Sequence, residues 1–154
     1  DRPAGGFRDH GVDILRERPP SILIIRQLHW LEMERDVSAR ADEEACGLVA
    51  DVDGVSVAVF PTTNIFHSPY RYQVDPLEQF QVFKTLDENG WSLFAIYHSH
   101  PYGPSRLSSH DITQATYPGA AYLLWLRRGE DWVCRGFAVE QGVVKGLGII
   151  TQPD

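Results

Sequence analysis

Residues 91–97 read Trp-Ser-Leu-Phe-Ala-Ile-Tyr and run without a break into His98-Ser99-His100-Pro101. A strand turns successive side chains to opposite faces, so a run that is apolar on both parities belongs to a central strand covered on both sides. That one segment demands a sheet with a packing layer on each face. Phe94 and Ile96 are expected on one face and Ala95 and Tyr97 on the other. His98 and His100 stand at i and i+2, hence on the face of Phe94 and Ile96, where the apolar part of the strand ends. Pro101 stops the strand, and Tyr102-Gly103-Pro104 turns the chain back.

Regular patterns lie on both sides of this strand. Residues 22–25 form a short buried strand, and a helix is expected over 27–41, where Trp30, Met33, Val37 and Ala41 repeat at helical spacing. Residues 46–51 and 55–60 form a hairpin about Asp53-Gly54, a strong turn signal. Residues 70–74 suggest a short strand. Asp75-Pro76-Leu77-Glu78 starts a helix with an N-cap, proline at N1 and an acid at N3. Leu77, Phe80, Phe83 and Leu86 should line its inner face, and Asn89-Gly90 should end it. A short helix over 108–116 follows the histidine strand, and three strands near 121–127, 132–139 and 143–150 complete the sheet. The order implies one α/β domain, a mixed β-sheet flanked by helices.

Six residues separate Pro101 from Ser108-Ser109-His110-Asp111. His98, His100 and Asp111 together have the composition of a three-ligand catalytic zinc shell with a fourth position left for water. The same set also matches the facial triad of a non-haem iron oxygenase. Ser108 and Asp111 have a second explanation, because S-x-x-D at a helix start is a capping box in its own right. His110 is expected on the exposed side of that helix, and His10, His29 and His67 at the surface or the core edge.

The sequence H-S-H-P-x6-S-x2-D resembles the signature of the JAMM (MPN-plus) zinc metalloproteases. Glu44-Ala45-Cys46-Gly47-Leu48 is similar to their upstream glutamate motif and lies 54 residues before His98. Asn64 and the segment Ser68-Pro69-Tyr70-Arg71-Tyr72 before Asp75-Pro76 resemble the middle segment of small bacterial members. The resemblance implies an MPN-type fold with a cytidine-deaminase-like layout. It implies zinc on His98, His100 and Asp111 with a bound water as nucleophile, Glu44 as general acid/base, and Ser108 as stabiliser of the oxyanion. The implied reaction is hydrolysis of amide or isopeptide bonds after the C-terminal Gly-Gly of ubiquitin-like or sulfur-carrier proteins. Only 43 residues follow Asp111, so the chain resembles compact bacterial members rather than the linkage-selective enzymes with insertions. One position departs from the pattern: Leu107 stands where many relatives have proline. The alternatives are a non-catalytic MPN scaffold that binds partners and the iron oxygenase. Cys46 is set aside as nucleophile or ligand, since the deaminase pattern of H-x-E with P-C-x-x-C does not occur here.

With 14 basic and 21 acidic residues among 154, the net charge of −7 and the absence of a basic stripe argue against a nucleic-acid partner. No apolar run approaches the ~20 residues of a membrane helix. Two cysteines, Cys46 and Cys134, are too few for a disulfide framework and fit buried thiols in a cytoplasmic protein. Residues 1–20, rich in Pro, Gly, Arg and Asp, read as an N-terminal extension or linker, and residues 21–154 as the metalloprotease domain. The chain begins without Met, which suggests that something was trimmed from, or lies upstream of, residue 1. Gly5-Gly6 followed by Phe7 raises the expectation of either a linker or a processing site after a fused ubiquitin-like module.

Overall fold

The computed structural model describes residues 8–9 and 12–154, with side chains from Ile14 onward. Strands β1 (Arg8–Asp9) and β2 (Val12–Asp13) pair with each other. The chain then runs β3 (Ile22–Arg26), α1 (Gln27–Ala39), β4 (Cys46–Val52), β5 (Val55–Thr62), α2 (Pro76–Asn89), β6 (Ser92–His100), α3 (Ser109–Gln114), β7 (Ala121–Arg128), β8 (Asp131–Glu140) and β9 (Val143–Gln152). The mixed sheet has the order β3-β5-β4-β6-β7-β8-β9 and closes on itself through parallel pairing of β3 with β9. No described helix is long and apolar enough to cross a membrane. The Gly5-Gly6-Phe7 segment lies outside the described residues.

Strand β6 is buried along its whole length, between antiparallel β4 and parallel β7. On one face Met33 and Val37 of α1 join Leu23, Ile25, Val49, Ala95, Tyr97, Leu123 and Trp125. Trp30 packs its ring 4.8 Å from that of Trp125. On the other face Val82, Phe83 and Leu86 of α2 join Leu48, Ala50, Leu93, Ile96, Tyr122 and Leu124. Phe94 departs from simple alternation. The register to β4 shifts between Val49, which pairs Ala95, and Ala50, which pairs Leu93. This bulge skips Phe94 and turns it into the α1 layer with Ala95 and Tyr97. Of Phe94 and Ile96, it is Ile96 that shares the layer into which the histidines emerge.

Local chemistry explains the turns and caps. Asp53 (φ 52°) and Gly54 (φ 85°) both take left-handed backbone, the two-residue turn that suits the twist of a hairpin. The Asp75 side chain accepts from the amides of Leu77 and Glu78, and Gly90 ends α2 in the left-handed region. The inner face of α2 differs from the periodicity expected. Leu77 and Phe80 are 66% and 55% exposed, while Val82, Phe83 and Leu86 are buried. The Glu78 carboxylate accepts from Thr63 N and Oγ1 at 2.7 and 2.8 Å, which turns the Glu78–Val82–Leu86 side toward the sheet. Residues 70–74 form no strand beyond a single bridge between Asn64 and Val74. The Asn64 side chain engages backbone groups of Arg71 and Gln73 there, replacing a ladder.

The segment from Ile14 packs on the sheet. Ile14 is fully buried in the α2-side core, and its carbonyl accepts from Leu93 N at 2.7 Å. Arg16 pairs with the buried Asp51. Gly119 is required at its position, since a Cβ there would lie 1.6 Å from the carbonyl oxygen of Arg16. Cys134 is partly rather than fully buried, and both cysteines are free thiols.

Gly47 explains the glycine of the Glu44 motif. A Cβ at Gly47 would sit 2.4 to 2.5 Å from the Tyr97 ring and its oxygen. Tyr97 cannot swing away, because its hydroxyl donates to Asp36 at 2.7 Å and Asp36 in turn accepts from Arg40. Gly47→Ala is therefore expected to lower stability by about 1–3 kcal/mol, the range for an overpacked core. A denaturation midpoint unchanged from the parent protein would contradict this.

His29, expected at the surface or core edge, is 3% exposed, with Nδ1 2.7 Å from Ser56 Oγ. Burial lowers its pKa. The unfolded chain takes up a proton near pH ~6.5 that folded His29 resists, so the contribution is complete above that pH and is lost as pH falls through the lower folded value. Denaturation of the zinc-free protein and of its His29→Asn variant at several pH values should show a shallower acid decline in the variant. Parallel curves would remove His29 from the account.

Candidate metal centre

The antiparallel pairing of Cys46 with His98 sets the geometry of the site. Continued two residues further, it brings Glu44 alongside His100. Asp111 arrives from the far side of the 101–107 loop, in the first turn of α3. Glu44, His98, His100 and Asp111 are all buried, and their ligand atoms lie within 4.8 Å of one another. His98 Nε2 is 3.2 Å from His100 Nε2 and 3.2 Å from Asp111 Oδ2, and His100 Nε2 is 3.1 Å from that oxygen. Glu44 Oε2 stands further off, 3.9 Å from His100 Nε2.

The donor set fits a metal ion on two counts. Zinc bonds of ~2.0–2.1 Å in a tetrahedral shell separate ligand atoms by ~3.3 Å, close to the observed triangle. The proton inventory agrees. His100 Nδ1 lies 2.9 Å from Pro104 O and donates to it. In the neutral ring Nε2 is then the lone-pair nitrogen that a metal takes, and it stands beside a carboxylate oxygen. Asp111 Oδ1, Glu44 Oε1 and His98 Nδ1 are also buried without a hydrogen-bond partner.

The two carboxyl groups are held in different states. Burial raises Glu44 to about 8, against the pull of His100 and with a further push from Asp111. Burial acts on Asp111 in the same direction, but hydrogen bonds to His100 and His98 hold it well below the usual carboxylate range. Burial pushes His98 down. Burial also opposes charge on His100, but its bonds to Asp111 and Pro104 leave it raised.

Ser108 is both cap and neighbour of the cluster. Its Oγ accepts from Asp111 N at 3.0 Å, and its amide donates to Asp111 Oδ2 at 2.8 Å. The capping box is thus realised, and the hydroxyl hydrogen of Ser108 remains available to an outside acceptor. Leu107 does by burial what proline would do by ring closure: it is 7% exposed and packs in the α2-side core. Cys46 is not part of the cluster, and burial pushes its thiol up to about 12. His110 is half-buried, with Nε2 3.3 Å from Tyr72 O, and Arg106 is exposed on the loop.

Two residues gain roles that motif reading does not assign. Tyr72 stacks on the His98 ring, centroids 4.3 Å apart and planes 20° from parallel. Asn64, fully buried, donates from Nδ2 to the carbonyls of Glu44 and Arg71, each at 3.0 Å. The only sequence signal for either was position in the middle segment.

Comparison with known proteins agrees with this geometry. Residues 27–136 match the family described as prokaryotic homologs of the JAB domain. A Thermus thermophilus protein named "Probable TtuB-protein conjugate cleaving protease" is 39% identical over 111 residues, 71% of each chain. The CysO-cysteine peptidase of Mycobacterium tuberculosis is 31% identical over 113 residues, 72% of this chain and 77% of its own. The solution structure of protein DSY2949 from Desulfitobacterium hafniense superposes with a TM-score of 0.77 at 29% identity, covering 86% of this chain and 94% of that one. The chain belongs to the prokaryotic JAB-domain family, among the small bacterial JAMM-type proteins.

Burial of Leu107 makes the loop's stability measurable. Leu107→Ala should cost about 2–4 kcal/mol by chemical denaturation, as for other buried leucines. A loss under ~0.5 kcal/mol would mean that the loop is held by other contacts.

Proposed function

We propose that the chain is a zinc-dependent hydrolase that cleaves the amide or isopeptide bond after the C-terminal Gly-Gly of a ubiquitin-like or sulfur-carrier protein. The observation that carries this reading is the buried triangle of His98, His100 and Asp111 donors with Glu44 set beside it. The names of the Thermus and Mycobacterium relatives, a conjugate-cleaving protease and a CysO-cysteine peptidase, support the substrate class. Family membership favours hydrolysis over oxygenase chemistry, and a filled donor set argues against a purely scaffolding role.

His98, His100 and Asp111 would hold the zinc. Zinc, when bound, supplies Lewis acidity and brings the pKa of water down to about 7. Glu44 takes the proton from the attacking water and delivers it to the leaving amine. A carboxyl raised by burial to about 8 is suited to both transfers near neutral pH. Asp111, fully ionised, supplies negative charge to the donor triangle and is kept in place by the Ser108 amide. The Ser108 hydroxyl donates to the carbonyl oxygen as charge develops on it. Residues 21–154 form the catalytic domain in this reading, residues 1–20 its extension, and the enzyme acts in the cytoplasm. An upstream ubiquitin-like module cut after Gly6 would be a substrate in cis.

Intact mass spectrometry of ubiquitin-like proteins bearing short extensions after Gly-Gly tests the proposal. Cutting after the second glycine is expected with zinc and should vanish with chelator. Glu44→Gln should keep the metal but lose turnover, whereas His98→Ala and Asp111→Ala should lose the metal. Ser108→Ala should slow turnover by ~100- to 1,000-fold, as for loss of an oxyanion donor. An unchanged rate in Glu44→Gln would remove that residue as the base. Failure to cut any such substrate with zinc bound would favour the scaffold.

A further inference from the structure

Among the described residues the Glu44 carboxylate has no hydrogen-bond partner to anchor it. Oε1 is buried without a partner, and Oε2 comes no nearer than 3.9 Å to His100 Nε2. Its position is therefore inherited from the backbone of residues 44–45. Four contacts hold that backbone, one of them the Ser99 amide donating to Ala45 O at 3.0 Å. Glu44 N donates to Ser68 O at 2.8 Å, Asn64 Nδ2 donates to Glu44 O at 3.0 Å, and Ala45 N donates to Ser99 Oγ at 2.9 Å.

Asn64 bears on two of the four, both at Glu44 itself. Besides Glu44 O, its Nδ2 reaches Ser68 O at 3.4 Å, the same carbonyl that takes the Glu44 amide. The rest of the side chain shapes the loop that carries Tyr72. Nδ2 donates to Arg71 O at 3.0 Å, and Oδ1 accepts from Phe66 N at 3.0 Å and Gln73 N at 3.2 Å. Arg71 and Gln73 are the immediate neighbours of Tyr72, whose ring lies on His98. One fully buried amide thus sets the backbone of the acid/base residue and frames the residue stacked on a member of the donor triangle.

We infer that Asn64 is a positioning residue for the hydrolytic reaction: it fixes the Glu44 backbone, and through it the carboxylate, relative to the His98–His100–Asp111 cluster. The inference rests on the proposed hydrolase reading. A fully satisfied buried amide is costly to replace, because each removed contact strands a backbone group of the loop. No aliphatic residue can serve both sets of partners, since the position needs donors toward 44 and 71 and an acceptor toward 66 and 73. Aspartate would preserve the acceptor and the shape but turn a second oxygen toward the carbonyls of Glu44 and Arg71.

The test uses Asn64→Ala and Asn64→Asp in the zinc-loaded chain. Outer partners of a metal site typically change activity by ~10- to 100-fold, and a loss of that size is expected in kcat, with KM within ~3-fold and zinc content unchanged. In a Glu44→Gln background the same substitutions should lower the residual rate by less than ~3-fold, because the residue they position is already disabled. A second readout needs no turnover. In zinc-free protein, amide hydrogen exchange at Glu44 should accelerate in both variants, while Ser99, whose amide donates to Ala45 O, stays protected. Equal losses in the two backgrounds, loss of zinc together with turnover, or unchanged exchange at Glu44 would each overturn the assignment. Two variants that both fail to fold would count against it as well, making Asn64 a brace of the fold only. If the parent protein cuts nothing, the hydrolase reading fails, and exchange at Glu44 still decides whether Asn64 sets that residue.

Discussion

A single oxygen, Asp111 Oδ2, ties the end of the central strand to the loop that follows it. It lies 2.8 Å from the Ser108 amide, 3.1 Å from His100 Nε2 and 3.2 Å from His98 Nε2. The cap and the donor triangle therefore share an atom, so α3 starts where the histidines require it. Leu107, buried beside the cap, keeps the residue before Ser108 in the core. The loop between Pro101 and Arg106 is long and mostly exposed, but both of its ends are pinned. Only a carboxylate that stays ionised can serve well as cap and as shared acceptor at once, and the histidine contacts that hold Asp111 low in pKa provide for this.

Such a cluster is assembled against the grain of folding. Four polar side chains are taken out of water, and two carboxylate oxygens among them find no hydrogen-bond partner. An orphaned buried acceptor costs ~1–3 kcal/mol, so the surrounding layers must supply the difference. They do so on both faces of β6. The Tyr97–Asp36–Arg40 network locks the α1 side, with Arg40 also donating to the carbonyls of Thr62 and Cys46. Those two residues pair across β4 and β5, so the network clamps the strand whose start carries Glu44. A cation held there would add to this, since any ligand taken only by the folded chain stabilises it.

Strands, helices and the candidate residues His98, His100 and Asp111 were legible in the sequence because each is written in local residue types. The run into His98 and His100, the Asp53-Gly54 turn and the Asp75 cap all act over a few residues, and their elements lie where periodicity and punctuation place them. What escaped the sequence depends on contacts between distant segments. Phe94 changes face because of a bulge against β4, which strand alternation cannot register. Leu77 and Phe80 lie outside because Glu78 reaches Thr63, fifteen positions earlier in the chain. Residues 70–74 look like a strand by composition, but a single asparagine side chain takes the backbone groups that a ladder would use. Glu44 was singled out by its motif, whereas the nearness of its carboxylate to His100, 56 positions later, comes from the pairing of β4 with β6.

The topology explains why all these groups meet at one end of the sheet. β4 runs antiparallel to both β5 and β6, so the start of β4 and the ends of β5 and β6 lie together. Glu44 precedes β4, Asn64 and Tyr72 follow β5, and His98, His100, Ser108 and Asp111 close and follow β6. The opposite end carries the tight Asp53-Gly54 turn and the Arg16–Asp51 pair, with little chain length to spare. β6 is also where the sheet changes from antiparallel pairing on one side to parallel pairing on the other, and the crossover to β7 carries α3 across that end. Open α/β sheets bind ligands in crevices outside the carboxyl ends of their strands. In this closed sheet the same geometry lets three separate segments reach one point, each held by a different kind of contact: strand pairing for the histidines, a helix cap for Asp111 and a side-chain amide for Glu44.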